Sequence, residues 1–155
     1  MPKPPAPTSR YWTLFRQLTR FTTFLFRKTG GKVGGSFRGA PVLLLRHVGR
    51  KSGEARVSPL IYLDDSPRLV VVASKGGVDS HPAWFHNLMA MATTEVELPG
   101  GEHRRVHPRV AEGAERARLW ELAVATYKPY AAYATYTERT IPVVVLEPAD
   151  ATSTG

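Results

Sequence analysis

From Pro41 onward the apolar residues fall in short runs divided by turn-forming residues, which predicts a strand-rich chain. Val42-Leu43-Leu44-Leu45 reads as a buried strand and Val57 to Leu63 as a second, with Pro59 marking an edge or a bulge. Asp64-Asp65-Ser66-Pro67 is a turn into a third strand, Leu69 to Ala73. Glu95–Leu98 and His103–Val110 make a hairpin around Pro99-Gly100-Gly101, and Ile141 to Leu146 is a last strand. Helical spacing interrupts this pattern at His81–Met91, with Trp84, Leu88 and Met91 on one side. It does so again at Glu112–Ala125, with Leu119, Leu122 and Ala125 apolar, and at a short segment, Lys128–Tyr136. Short strands with interspersed helices predict a mainly β, α+β fold, a small barrel with helical decoration.

Upstream of Pro41 the period changes. Ser9 can cap a helix from Arg10 to Lys28. A step of about 100° per residue gathers Tyr11, Leu14, Phe15, Leu18, Phe21, Leu25 and Phe26 on one arc. Arg16, Arg20 and Arg27 fall opposite. Three readings fit this helix: packing on the domain's own core, lying at a membrane surface, or contacting nucleic acid. The chain therefore divides into a disordered lead-in (1–8), the amphipathic basic helix (9–29), a glycine-rich loop (30–40), a barrel domain (41–148) and a flexible tail (149–155).

Composition narrows the chemistry. The 155 residues, 43% apolar, suit one domain with one core. There is no cysteine, so disulfides, thiolate nucleophiles and cysteine metal sites are excluded. No apolar run reaches the ~18 residues of a membrane span, and the proline-rich start lacks a signal peptide's apolar core, so the expected location is cytoplasmic. The net charge of +8 is uneven: residues 1–60 hold twelve Lys or Arg against one acid, Glu54, and residues 61–155 hold nine against twelve. A basic half implies an anionic partner: phosphates, nucleic acid or a lipid surface.

Three places can carry chemistry. Gly49-Arg50-Lys51-Ser52-Gly53, with Arg56 just beyond, packs mutually repelling cations where a plain hairpin would use Asn-Gly or Asp-Gly. An anion among them relieves the repulsion, through the Arg fork, the Lys charge, the Ser hydroxyl and open backbone N–H groups. The alternative is a solvated basic turn. Ala73-Ser74-Lys75-Gly76-Gly77 ends an apolar strand; its glycines allow close backbone approach to a ligand, or simply form a turn. Tyr127, Tyr130, Tyr133 and Tyr136 stand at i, i+3 spacing, which on a helix makes one aromatic face with hydroxyls along its rim, either a pocket wall or core packing. No metal site is expected: His103 and His107, four apart on a strand, lie roughly 13 Å from one another.

These segments occur in an order and spacing that resemble a known family. Gly49-Arg50-Lys51-Ser52-Gly53, Arg56-Val57, Pro59-Leu60, Ala73-Ser74-Lys75-Gly76-Gly77, Pro82-x-Trp84-Phe85-x-Asn87-Leu88, the tyrosines and Arg139-Thr140-Ile141-Pro142 together are similar to the deazaflavin (coenzyme F420)-dependent nitroreductases and quinone reductases of actinobacteria. The likeness spans roughly residues 43–148. It implies a split β-barrel of the flavin-binding type and an F420H2-dependent oxidoreductase. Arg50, Lys51, Ser52, Gly53 and Arg56 would hold the cofactor's phosphate and polyglutamate tail. Val57, Pro59, Leu60, Val72 and Ala73 would line the deazaflavin ring. Ser74, Lys75 and Gly76 would contact the ring or its ribityl chain, with Trp84 and Asn87 closing the far side. Tyr127, Tyr130, Tyr133 and Tyr136 would form the substrate wall; Tyr136 stands where the best-studied relatives carry tryptophan.

The resemblance implies hydride transfer to a menaquinone-like quinone or a nitro-aromatic acceptor, with Ser74 and Tyr133, then Tyr130, as hydrogen-bond donors to the acceptor oxygen. Residues 10–28 would touch the inner face of the membrane, where quinones dissolve. An FMN-binding barrel and a non-catalytic F420 carrier are the alternatives. A nucleic-acid-binding barrel is disfavoured, because the aromatics cluster on helices rather than between cations on strands.

Overall fold

The computed structural model describes residues 20, 21, 23–31, 35–77 and 79–149. The lead-in, the first part of the predicted N-terminal helix and residues 150–155 of the tail lie outside them. The described helical residues of that first helix, α1, are 20, 21 and 23–29.

Seven strands follow: β1 (Ser36–Phe37), β2 (Ala40–Val48), β3 (Ala55–Asp65), β4 (Arg68–Val72), β5 (Thr94–Glu97), β6 (His103–Val110) and β7 (Val143–Pro148). All pairings are antiparallel, in the order β1-β2-β3-β4-β7-β6-β5. β5 returns to β2, with Leu44 opposite Glu97 and Leu45 opposite Val96. That last pairing closes β2 to β7 into a six-stranded barrel. Pro59 sits opposite Leu44 in β2, while β4 pairs with β3 only from Tyr62 onward. The proline thus occupies a stretch of β3 flanked on one side alone, as its missing N–H requires.

The apolar runs of β4 and β7 have no wet face. Leu69, Val71, Val144 and Leu146 join Leu43, Leu45, Val96 and Val106 in the barrel interior. Val70, Val72, Val143 and Val145 point the other way, under α3 (Gly113–Thr126) and α4 (Pro129–Thr135), against Leu119, Ala123, Tyr127 and Tyr130. Each such side chain withdrawn from water contributes about 1.5–3 kcal/mol. The remaining helix, α2 (Ala83–Met89), sends Trp84 and Leu88 into the interior cluster and so stoppers one end of the barrel.

Two segments differ from the sequence expectation. The glycine-rich stretch contains β1, whose Phe37 pairs with Ala40 across the two-residue turn Arg38-Gly39. Both turn residues have positive φ, 49° and 84°, the primed turn that matches strand twist. The helix α1 divides its aromatics between two environments. Phe26 is buried, and its carbonyl accepts the Gly31 N–H at 2.9 Å. The Gly100 N–H donates to the Gly30 carbonyl at 2.7 Å, and Arg27 reaches Glu97 at 3.4 Å, so α1 is tied to the β5–β6 hairpin. Phe21 and Phe24, by contrast, are 58% and 56% exposed.

Candidate functional site

The β2–β3 hairpin and the end of α2 enclose an open cleft of about 550 Å³, lined by Val48, Gly49, Arg50, Lys51, Ser52, Gly53, Asn87, Ala90 and Met91. Among the described residues Arg50 and Lys51 meet no carboxylate within ion-pair distance, and Arg56 meets only Glu54, at 3.7 Å. A cation cluster with a single neighbouring acid, bordering a cleft, suits an anionic guest. The glycines serve geometry rather than supplying open amides. Gly53, at φ 73°, donates its N–H to the Gly49 carbonyl at 2.8 Å. A Cβ on Gly49 would run into the Ser52 hydroxyl and come within 3.3 Å of Arg56 Nε, so Gly49 lets those two side chains converge.

Asn87 does not present a free amide to the cleft. Its Oδ1 accepts the Arg50 backbone N–H at 3.1 Å, and its Nδ2 lies 3.0 Å from His47 Nδ1. His47 Nε2 lies 2.9 Å from the Ser58 hydroxyl. His47 is only 4% exposed; it extends the interior file Leu43, Leu45 to the barrel mouth, where α2 covers it. Burial, and then the Arg56 charge, lower the imidazole from 6.5 to about 4.

At the other end of α2 lies the glycine turn. Ser74 is buried, and Lys75–Gly77 form one 3₁₀ turn in which Lys75 (φ 46°) and Gly77 (φ 82°) both adopt the left-handed region. Arg139 braces this turn: Nη1 donates to the Ala73 carbonyl at 3.3 Å and Nη2 to the Ser74 carbonyl at 2.7 Å. Nη1 also lies 2.8 Å from His81 Nδ1. A guanidinium can only donate, so His81 Nδ1 is unprotonated and its proton sits on Nε2. Burial first, then Arg139 and His86, lower the His81 pKa; burial and Arg139 likewise lower that of Lys75.

The tyrosines do not share one helix. Tyr127 is the extended residue that ends α3, and Pro129 opens α4, so only Tyr130 and Tyr133 are helical and Tyr136 ends the element. Tyr127 and Tyr130 are buried in the outer core, while Tyr133 and Tyr136 are half-buried. The Tyr127 and Tyr133 hydroxyls lie 3.3 Å apart. Burial raises the Tyr130 and Tyr133 hydroxyls well above 10, the larger cause in both, with the neighbouring tyrosines adding to it. A Cβ on Gly77 would stand 2.7 Å from the Tyr133 carbonyl oxygen, so the glycine turn and the tyrosine wall touch backbone to backbone. The β1–β2 turn closes the flank, with the Phe37 ring 5.9 Å from Tyr127 and Arg38 5.4 Å over Phe37.

The remaining candidates sort by face. Val72 lies with the tyrosines, whereas Leu60, Ala73 and Trp84 belong to the barrel-side cluster. Ala73 is fully enclosed, so its side chain is core. Val57 and Pro59 are half-buried on β3, and Gly76 sits inside the 3₁₀ turn. Helix α2, about 10 Å long, links the two regions, with His81 just before it at the glycine turn and Asn87 at the basic hairpin.

Comparison with known proteins decides what this arrangement belongs to. Residues 18–148 match the family described as F420H(2)-dependent quinone reductase. The chain belongs to that family. It is an oxidoreductase whose cofactor is reduced coenzyme F420. An F420H(2)-dependent quinone reductase of Mycobacterium tuberculosis strain H37Rv is 37% identical over 135 residues, covering 84% of this chain and 89% of that one. Among solved structures, an F420-H2 dependent reductase, FDR-A, superposes with a TM-score of 0.63 at 40% identity, covering 69% of this chain and 94% of that one. A second, described as a domain-swapped dimer, gives 0.66 at 35% identity, covering 85% and 98%. The barrel is thus the split β-barrel that the motifs implied.

In the sequence His47, Ser58 and His81 belong to no motif, and Arg139 only heads the segment Arg139-Thr140-Ile141-Pro142. A lone histidine at the end of an apolar strand carries no local signal of a positioning role.

Proposed function

We propose that this chain transfers a hydride from reduced coenzyme F420 to a menaquinone-like quinone, and that activated nitro-aromatic compounds are alternative acceptors. The observation that carries the reading is the basic, acid-poor cleft joined through α2 to the braced glycine turn and the tyrosine wall. In this reading Arg50, Lys51, Ser52 and Arg56 hold the cofactor's phosphate and acidic tail, with Gly53 shaping their turn. Val57, Pro59, Leu60 and Val72 flank the ring, with Ser74, Lys75 and Gly76 beside it and Trp84 beneath. Reduced F420, when bound, supplies the hydride. Tyr133 and the Ser74 hydroxyl donate hydrogen bonds to the acceptor oxygen as negative charge grows there. Burial keeps Tyr133 protonated across the working pH range, so it remains a donor. Tyr130 supports it edge-on, ring centroids 6.2 Å apart, and Tyr127 and Tyr136 complete the wall. The final proton comes from solvent.

The protein titrated with reduced F420 should quench its fluorescence saturably, and a menaquinone analogue should then oxidise the cofactor. Binding without oxidation by any quinone would make it a carrier, and tight yellow FMN after purification would make it a flavoprotein. Exposed Phe21 and Phe24, beside exposed Arg20, Arg27 and Lys28, support docking of α1 at the anionic inner face of the membrane. Phe21→Ser/Phe24→Ser should slow turnover of long-tailed quinones in vesicles and spare water-soluble ones; equal losses would remove this role.

A further inference from the structure

The hydrogen bonds behind the basic hairpin have one possible direction. The Arg50 backbone N–H can only donate, so the Asn87 atom it meets is the carbonyl oxygen, Oδ1. The Asn87 Nδ2 must then donate to His47, which makes His47 Nδ1 the acceptor. The imidazole proton is left on Nε2, where it donates to the Ser58 hydroxyl. A single neutral tautomer of a buried histidine thus orients Asn87, and Asn87 orients the Gly49-Arg50 peptide at the head of the basic hairpin. The elements facing His47 agree with neutrality. Arg56, directly opposite on β3, opposes a second positive charge, and Ser58 and Asn87 bring none.

We propose that His47 is a positioning residue for the cofactor's anionic end, setting the Gly49-Arg50 peptide through Asn87 while touching neither cofactor nor acceptor. The proposal rests on the reading that this hairpin holds the cofactor's phosphate and acidic tail. Its structural content is independent of that reading: without an acceptor at the Nδ1 position, the Asn87 amide loses its orientation and the Arg50 N–H loses its partner.

Two variants separate this role from packing. In His47→Asn the side-chain oxygen stands close to the Nδ1 position and can still accept from Asn87, although Ser58 is out of reach. In His47→Gln the amide is one methylene farther out, toward Ser58 and past Asn87. Affinity of the full chain for purified F420, read by fluorescence, should fall about five- to tenfold in His47→Gln and less than about twofold in His47→Asn. The KM for a menaquinone analogue at saturating F420 should stay at the wild-type value in both. In ¹⁵N-resolved spectra the Arg50 amide should shift in His47→Gln and hold in His47→Asn. Equal behaviour of the two variants in affinity and in the Arg50 amide would overturn the proposal. F420 affinity at the wild-type value in both variants, with the Arg50 amide still dividing them, would instead overturn the cofactor reading of the hairpin and leave the positioning standing.

Discussion

Replacing Gly77 by alanine tests the backbone contact that holds the glycine turn against the tyrosine wall. Two costs are separable. The first is the left-handed backbone, φ 82°, which costs a residue with a Cβ about 1–2 kcal/mol. The second is steric: the new Cβ would lie 2.7 Å from the Tyr133 carbonyl oxygen and 3.0 Å from its Cα. Those are backbone atoms and cannot rotate away, so overpacking adds about 1–3 kcal/mol. Gly39 provides the control, with φ 84° and nothing within 4 Å of its Cβ position. For a chain of 155 residues each kcal/mol lowers Tm by about 2–4 °C. Thermal unfolding by circular dichroism should therefore show Gly39→Ala losing about 2–8 °C and Gly77→Ala about 4–20 °C, clearly more than its control. The relieving movement carries α4 away from the turn, so the acceptor KM should rise while F420 affinity holds. Matching Tm losses in the two variants would refute the idea that close approach, rather than backbone conformation, requires Gly77.

Further outcomes follow from the same contacts. His47 is neutral in the fold and its pKa is depressed from 6.5 to about 4, so the unfolded chain binds the extra proton first as pH falls. Stability should drop between pH 6.5 and 4 by at most about 3 kcal/mol, nearer about 2 kcal/mol after screening at the cleft mouth; His47→Asn should flatten that part of the denaturation-versus-pH curve. Lys51→Ala should weaken F420 binding about 10–100-fold and reduce its salt dependence, with kcat unchanged at saturating cofactor. Arg139→Met removes charge-assisted bonds to two carbonyls and should cost about 2–3 kcal/mol in urea unfolding; lowered kcat with unchanged F420 affinity would confirm that it braces the ring end alone.

The strands were legible because their apolar runs were uninterrupted, and the barrel's hairpins because Pro99-Gly100-Gly101 and Asp64-Asp65-Ser66-Pro67 announce turns. The closure of β5 onto β2 was not legible, since a pairing between residues some fifty positions apart leaves no local pattern. β1 was missed because two residues between glycines carry too little periodicity, although Arg38-Gly39 does form a primed turn. The tyrosine spacing suggested one helical face, but Tyr127 falls in the extended break between α3 and α4, and Pro129 opens the new element. The basic hairpin showed itself through charge repulsion alone. Its support, His47-Asn87-Ser58, stayed hidden because those residues come together only when α2 folds over the barrel mouth.

Strands β4 and β7 bury both faces, one inside the barrel and one beneath α3 and α4. No position along their middles is free to vary toward polarity, since an unpartnered polar group there would be stranded from water. Diversity in what this scaffold accepts must therefore arise at its margins, on α4, the Arg38-Gly39 turn and the outer rim of α1. On the proposed reading the cofactor half can then stay fixed while the acceptor half drifts, and relatives with unlike substrates would be told apart by those three short segments.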